Sequence, residues 1–231
     1  AHMPKVKMPK SSPSLDMTPM VDLAFLLVTF FMLTSSFKAP EPVMVDPPAS
    51  TTEAEIPKQV FLVAIDPSGR VFVDITNNAV KTQVLTKLLA TKKLGLEGQD
   101  LNKLVGAGPL GMSIKQFPEY AALESSERES YNQSVRGIPY DTTSDVAKIK
   151  ASELYLWAYH ARLEAHNDFA AREAEAKKRN LDFDKSQYMQ FAIKADFDVP
   201  YTLVEKVINV FRQAQVKQFQ MITDLEDTPE I

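Results

Sequence analysis

The chain contains no cysteine, which excludes disulfides and thiolate metal sites from the outset. It also lacks a positive surplus: 26 Lys and Arg stand against 30 Asp and Glu, for a formal charge of -4. A nucleic-acid binder would usually show a basic face, so no nucleic-acid partner is expected. The common marks of catalysis are missing too: no His-Glu-x-x-His, no phosphate-cradling glycine loop, no nucleophile elbow, no dinucleotide fingerprint. His160 and Glu164 stand four apart on one helical face, but two ligands do not make a metal site, and His166 lies off that face. Neither a metal, nor a cofactor, nor an enzymatic activity is expected.

What is present is unevenly spread. At 231 residues the chain has room for one or two domains and a real core. Ala1-His2-Met3 reads as a cloning remnant before a native start at Met3 and is set aside. From Met17 to Leu33 the only ionisable residue is Asp22, among Val21, Leu23, Phe25, Leu26, Leu27, Val28, Phe30, Phe31 and Met32. Pro19 suits a first helical position, with Thr18 as its N-cap. A helix from Pro19 to Phe37 would rise about 28 Å, close to a hydrocarbon core of about 30 Å. Residues 15–37 are therefore expected to form a transmembrane helix. A signal peptide would need a small-residue cleavage site where Ser35-Ser36-Phe37 stands, and would not carry an acid in its apolar stretch.

Charge orients the span. Lys5, Lys7 and Lys10 precede it, whereas Glu41, Asp46, Glu53 and Glu55 follow Lys38. The positive-inside rule then leaves residues 1–14 in the cytoplasm and the rest outside, which in a bacterium is the periplasm.

A carboxylate in the bilayer costs on the order of 3 kcal/mol on insertion scales. Three readings of Asp22 are open. It sits shallowly and is eased by the helix dipole, it pairs with a donor on another helix, or it takes up and releases protons. Thr18, Asp22, Phe25, Leu26 and Thr29 share a helical face, a polar seam suited to a partner protein rather than lipid.

The run Leu15-Asp16-Met17-Thr18-Pro19-Met20-Val21-Asp22-Leu23-Ala24-Phe25-Leu26-Leu27 resembles the signature of the ExbD/TolR family of biopolymer transport proteins. In that family a basic tail leads into Thr-Pro, then an Asp three residues on, then an apolar run. The resemblance implies that Asp22 carries the proton and that Asp16 does not. It implies an ExbB-like ring of polytopic subunits around the span, a homodimer, and a TonB-like protein driven for outer-membrane import. The resemblance also implies protons as the coupling ion. A TolR-like subunit of an envelope-integrity system, gripping cell wall or Tol-Pal-like partners, is the alternative.

Residues 38–58 hold Pro40, Pro42, Pro47, Pro48 and Pro57 and read as an extended linker. Pro42–Asp46 could form a strand, and the resemblance implies that such a segment can exchange across a dimer. Beyond it, residues 59–227 are expected to form an α+β domain. Gln59–Ile65 and Val71–Ile75 flank the turn Asp66-Pro67-Ser68-Gly69, and Val80, Val84, Leu85, Leu88 and Leu89 stripe a helix. Met189–Lys194, a helix carrying Leu203, Val204, Val207, Ile208 and Phe211, and Gln218–Thr223 then give strand, helix, strand. The order β-β-α … β-α-β suits a two-layer sandwich with two helices on one face. Asp196, Pro200 and Tyr201 match a turn of the family's periplasmic domain.

The resemblance covers residues 10–92 and 187–227. Residues 93–186 read as a mostly helical insertion: glycine-rich loops, a helix over Gln116–Tyr131, and a long one over Asp145–Arg179 capped by Ser144. The apolar first half of that long helix is expected to pack on the domain. Its charged end reads as solvated or as a surface for a partner.

Overall fold

The computed structural model describes residues 17–34, 49–50, 59–141, 143, 145–183, 187–222 and 224–225. It divides into two compact units, residues 1–39 and 40–231.

In the first unit, α1 runs Thr18–Thr34. It starts one residue ahead of expectation: Val21 N donates to Met17 O at 3.0 Å, so Met17 holds the cap position and Thr18 lies in the first turn. At 17 residues α1 is shorter than the expected 15–37 span, and residues 15–16 and 35–37 lie outside the described residues. Among the described residues no helix is long and apolar enough to cross a membrane.

The second unit is α+β. Strands β2 (Val60–Ile65) and β3 (Val71–Ile75) form the expected antiparallel hairpin, with Val63 opposite Val73. β4 (Gln190–Ala195) joins β2 in parallel and β5 (Gln220–Ile222) joins β4 in parallel, giving the order β3-β2-β4-β5. A two-residue strand β1 (Ala49–Ser50) pairs with β6 (Asp224–Leu225) in parallel. The expected strand at Pro42–Asp46 lies outside the described residues.

Period-two alternation explains why one face of this sheet is dry. Phe61, Val63 and Ile65 point with Phe191 and Ile193 into one core, against Val84, Leu85 and Leu88 of α2 (Asn78–Thr91) and Val207 and Phe211 of α8 (Tyr201–Gln213). Asn77 starts α2 by accepting from Ala79 N at 3.0 Å and Val80 N at 3.2 Å. Both helices fall where the sequence places them.

The middle segment departs from expectation in its joints. After α3 (Gln99–Val105), the helix expected over Gln116–Tyr131 is two, α4 (Phe117–Ala122) and α5 (Ser125–Ser134), separated by extended backbone at Leu123 and Glu124. The one expected over Asp145–Arg179 breaks at Ser152 into α6 (Val146–Ala151) and α7 (Glu153–Lys178). Ser152 is extended, and its hydroxyl accepts Tyr155 N at 3.3 Å while donating to Ile149 O at 2.6 Å. A serine offering local hydrogen bonds competes with helix continuation. Ser144 lies outside the described residues, and Asp145 caps α6.

This segment completes the core. Trp157 is 1% exposed and meets Phe117 edge-on at 6.2 Å. It also seals the sheet edge. Val73 and Leu110 exchange backbone hydrogen bonds of 2.9 and 2.8 Å, and Ile138 N donates to Val71 O at 2.8 Å. Two glycines make that approach possible. A Cβ on Gly111 would sit 2.2 Å from the Phe72 ring, and Gly137, at φ +84°, would place one 2.7 Å from Val71 N. A strand edge that would invite pairing with another chain is thereby covered on the β3 side.

Candidate functional site: an acid in an apolar helix

Every large apolar residue of α1 from Met20 to Leu33 is at least half exposed. So wide an apolar surface marks a helix built to meet something other than water. Asp22 is its one ionisable residue, and among the described residues it makes no hydrogen bond and no ion pair. It stands four residues from Thr18, about 6 Å along the axis at about 1.5 Å per residue.

The hydroxyl of Thr29, two turns further on the same face, donates to Phe25 O at 2.9 Å and Leu26 O at 3.0 Å. Its proton is thus committed to its own helix. What Thr29 can still offer a partner is acceptor capacity, so the seam is asymmetric: a carboxyl that can donate only when protonated, and a hydroxyl that accepts. Pro19, in the first turn, has no N–H to satisfy.

The second group of expected residues lies in the other unit, at the turn from β4 to α8. Asp196 is buried; its amide donates to Ile65 O at 3.1 Å and its Oδ1 accepts Asp198 N at 3.0 Å. Val199 N closes the turn on Asp196 O at 3.1 Å, and Pro200 precedes the first turn of α8, accepting Leu203 N at 2.8 Å. Asp196 and Pro200 therefore build the turn. Tyr201, 69% exposed, is the member that stands outside the turn's packing.

His160 and Glu164 do share a face of α7, and Glu164 is buried, its Oε2 accepting from Asn167 at 3.3 Å. Burial holds His160 below the usual imidazole range, with Lys87 adding to the effect and Glu164 opposing it. Among the described residues no three candidate ligands gather.

Sequence reading passed over two buried carboxylates that organise the domain. Asp66 accepts from Ser68 Oγ at 2.7 Å, Arg70 N at 2.7 Å and Arg70 Nε at 2.6 Å. Arg70 then donates to Gln133 O at 2.9 Å and Val135 O at 3.1 Å, tying the hairpin to the middle segment. Glu153 accepts from Ser113 Oγ at 2.9 Å and Ile114 N at 2.8 Å. The turn signal at Asp66 was visible, but the carbonyls that Arg70 reaches from it stand over sixty residues away.

These features define a class: an α+β domain in one chain with a separate, apolar helix that carries a single acid. The chain belongs to the ExbD/TolR family, matching "Biopolymer transport protein ExbD/TolR" over residues 8–136, just over half its length. That match takes in Asp22 and the hairpin, runs on through residues 93–136 of the expected insertion, and stops before β4. Members of the family are single-pass inner-membrane proteins of biopolymer transport that work with ExbB/TolQ-like and TonB/TolA-like partners. No curated protein and no solved structure matches the chain.

Proposed function

We propose that this chain is the proton-carrying subunit of an ExbB–ExbD-type motor. Residues 15–37 cross the inner membrane with the amino terminus in the cytoplasm, residues 38–58 are the tether, and residues 59–227 form the periplasmic domain. The observation that carries this reading is Asp22, the sole ionisable group on an apolar helix exposed all round, within the stretch that matches the family.

The physics follows from the cost of that charge. In an apolar seam desolvation favours the protonated carboxyl, so a proton arriving from the periplasm neutralises Asp22. The neutral helix turns against an ExbB-like ring. Release to the cytoplasm restores the charge, and its attraction to polar groups on the ring drives the next step. Two copies of the helix inside the ring would take turns. The domain passes the work to a TonB-like protein that opens outer-membrane import.

The test is Asp22→Asn in the assembled complex, with ring association checked by co-purification. Energised uptake should be lost, and proton-dependent turning with it. Uptake that persists with the complex intact would overturn the proton role. Scoring the same strain for envelope integrity separates this reading from a TolR-like one, which predicts the larger defect there.

A further inference from the structure

The domain carries a concavity that none of the motor chemistry uses. A cleft of about 880 Å³ opens between the middle of α7 and the segment that leads from α8 into β5. That volume lies within the range of small-molecule sites, about 300–1,000 Å³.

Its floor and its rim differ in kind. Met189, Phe191 and Val216 form a buried apolar floor, and half-buried Tyr188 and Phe219 line it as well. The rim bears Arg162, His166 and Lys217, with the amide side chains of Gln190, Gln215, Gln218 and Gln220. No carboxylate lines it among the described residues. An adjoining hollow shares Arg162, Gln215, Lys217 and Phe219 and adds Arg212. Arg162 and Lys217 take part in no ion pair among the described residues. Arg162 lies over the Tyr159 ring at 5.8 Å, and its Nε is buried with no acceptor. A guanidinium that lines the cleft without a carboxylate partner is open to a charge-assisted hydrogen bond from an anion there.

The surroundings favour an anion of single charge. Many phosphate sites add successive backbone N–H groups at a helix start, whereas this cleft meets the middle of α7 and the residues just after α8 ends at Gln213. A helix carboxyl end carries partial negative charge and disfavours a dianion. A carboxylate matches the planar fork of arginine, and the apolar floor asks for an apolar body attached to it.

We propose that this cleft binds an amphiphilic monocarboxylate: an aromatic or branched apolar body bearing one carboxylate, either as a free acid or as the carboxyl terminus of a peptide ending in such a residue. The site goes beyond the motor reading and stands without it, because Arg162, His166 and Lys217 lie outside the family match.

The test uses the full chain in lipid nanodiscs, with empty nanodiscs subtracted, and 2-naphthylacetate as a fluorescent probe. The acid should bind saturably, and 2-naphthylacetamide, equal in shape but uncharged, about tenfold more weakly. Arg162→Gln should weaken the acid by about tenfold and leave the amide unchanged. Exposed Lys217→Gln should weaken it by about threefold, and it keeps the test alive if loss of Arg162 harms folding. An N-acetylated tripeptide ending in phenylalanine, as free acid and as amide, distinguishes the sources. Tighter binding of the peptide acid than of the naphthyl acid assigns the site to a chain terminus, and the reverse assigns it to a free acid. Equal binding of acid and amide, acid binding untouched by both substitutions, or no saturable binding above empty discs would each overturn the proposal.

Discussion

Two helices of this chain treat apolar surface in opposite ways. On α1, Leu26, Leu27 and Phe30 are each more than half exposed. On α7, Leu154, Trp157, Ala158 and Ala161 are all but inaccessible, packed among residues of the sheet and α2. Their acids differ in the same way. Glu153 at the start of α7 has its acceptors filled by Ser113 and Ile114 of the same domain, whereas Asp22 makes no such bond within the described residues. An acid whose acceptors are filled within its own domain serves the fold, and one without such bonds is available to other chemistry.

That contrast can be broken most directly by truncation. Trp157→Ala should cost the domain about 3–5 kcal/mol, read by urea denaturation with far-UV circular dichroism, because the chain has one tryptophan. Leu27→Ala on α1 should leave the domain's transition unmoved. A shift there would mean that α1 shares the domain's core. Next in size, Asp66→Asn removes a buried carboxylate that three donors, Ser68 Oγ, Arg70 N and Arg70 Nε, satisfy. It should lose about 1–3 kcal/mol in the same assay, while Asp22→Asn loses none.

His160 sharpens the comparison through pH. Its folded-state pKa lies below the ordinary 6.5, so the unfolded chain takes up its proton first. Stability should fall as pH drops through that ordinary value and stop falling once the folded-state pKa is passed. His160→Gln should flatten that part of the profile, and an unchanged slope would assign it to other groups. Smallest of all, Lys177→Ala removes an exposed ion pair of 3.0 Å to Glu173 at the charged end of α7. It should change stability by less than about 0.5 kcal/mol. A larger loss would show that this end packs on something.

Local chemistry explains which elements were readable. The hairpin around Asp66–Gly69, the stripe of α2 and the strand–helix–strand at the end each carry a period or turn signal within a dozen residues. The breaks at Leu123 and Ser152 were not readable as such, because a single serine or an extended pair is an ordinary sight within helical sequence. In the site, Asp22 stood out at once, since an acid surrounded by apolar residues needs no tertiary information to be noticed. The separate duties of Asp196 and Tyr201, one folded into a turn and one left outside, needed the burial of each.

By itself, then, the sequence determined the acid-bearing apolar helix, the α+β order and the family signature, because each rests on residues close together in the chain. The sequence led one to expect the apolar half of α7 on the domain. Only the tertiary structure decided how residues 93–186 fill the core and that they cover the β3 edge, because Leu110, Ile138 and Trp157 meet their partners across long separations. It alone assembled the cationic cleft, whose floor and rim come from α7, β4 and the approach to β5. Contacts between distant segments are set by packing and by where loops let backbones approach, and spacing along the chain carries little record of either.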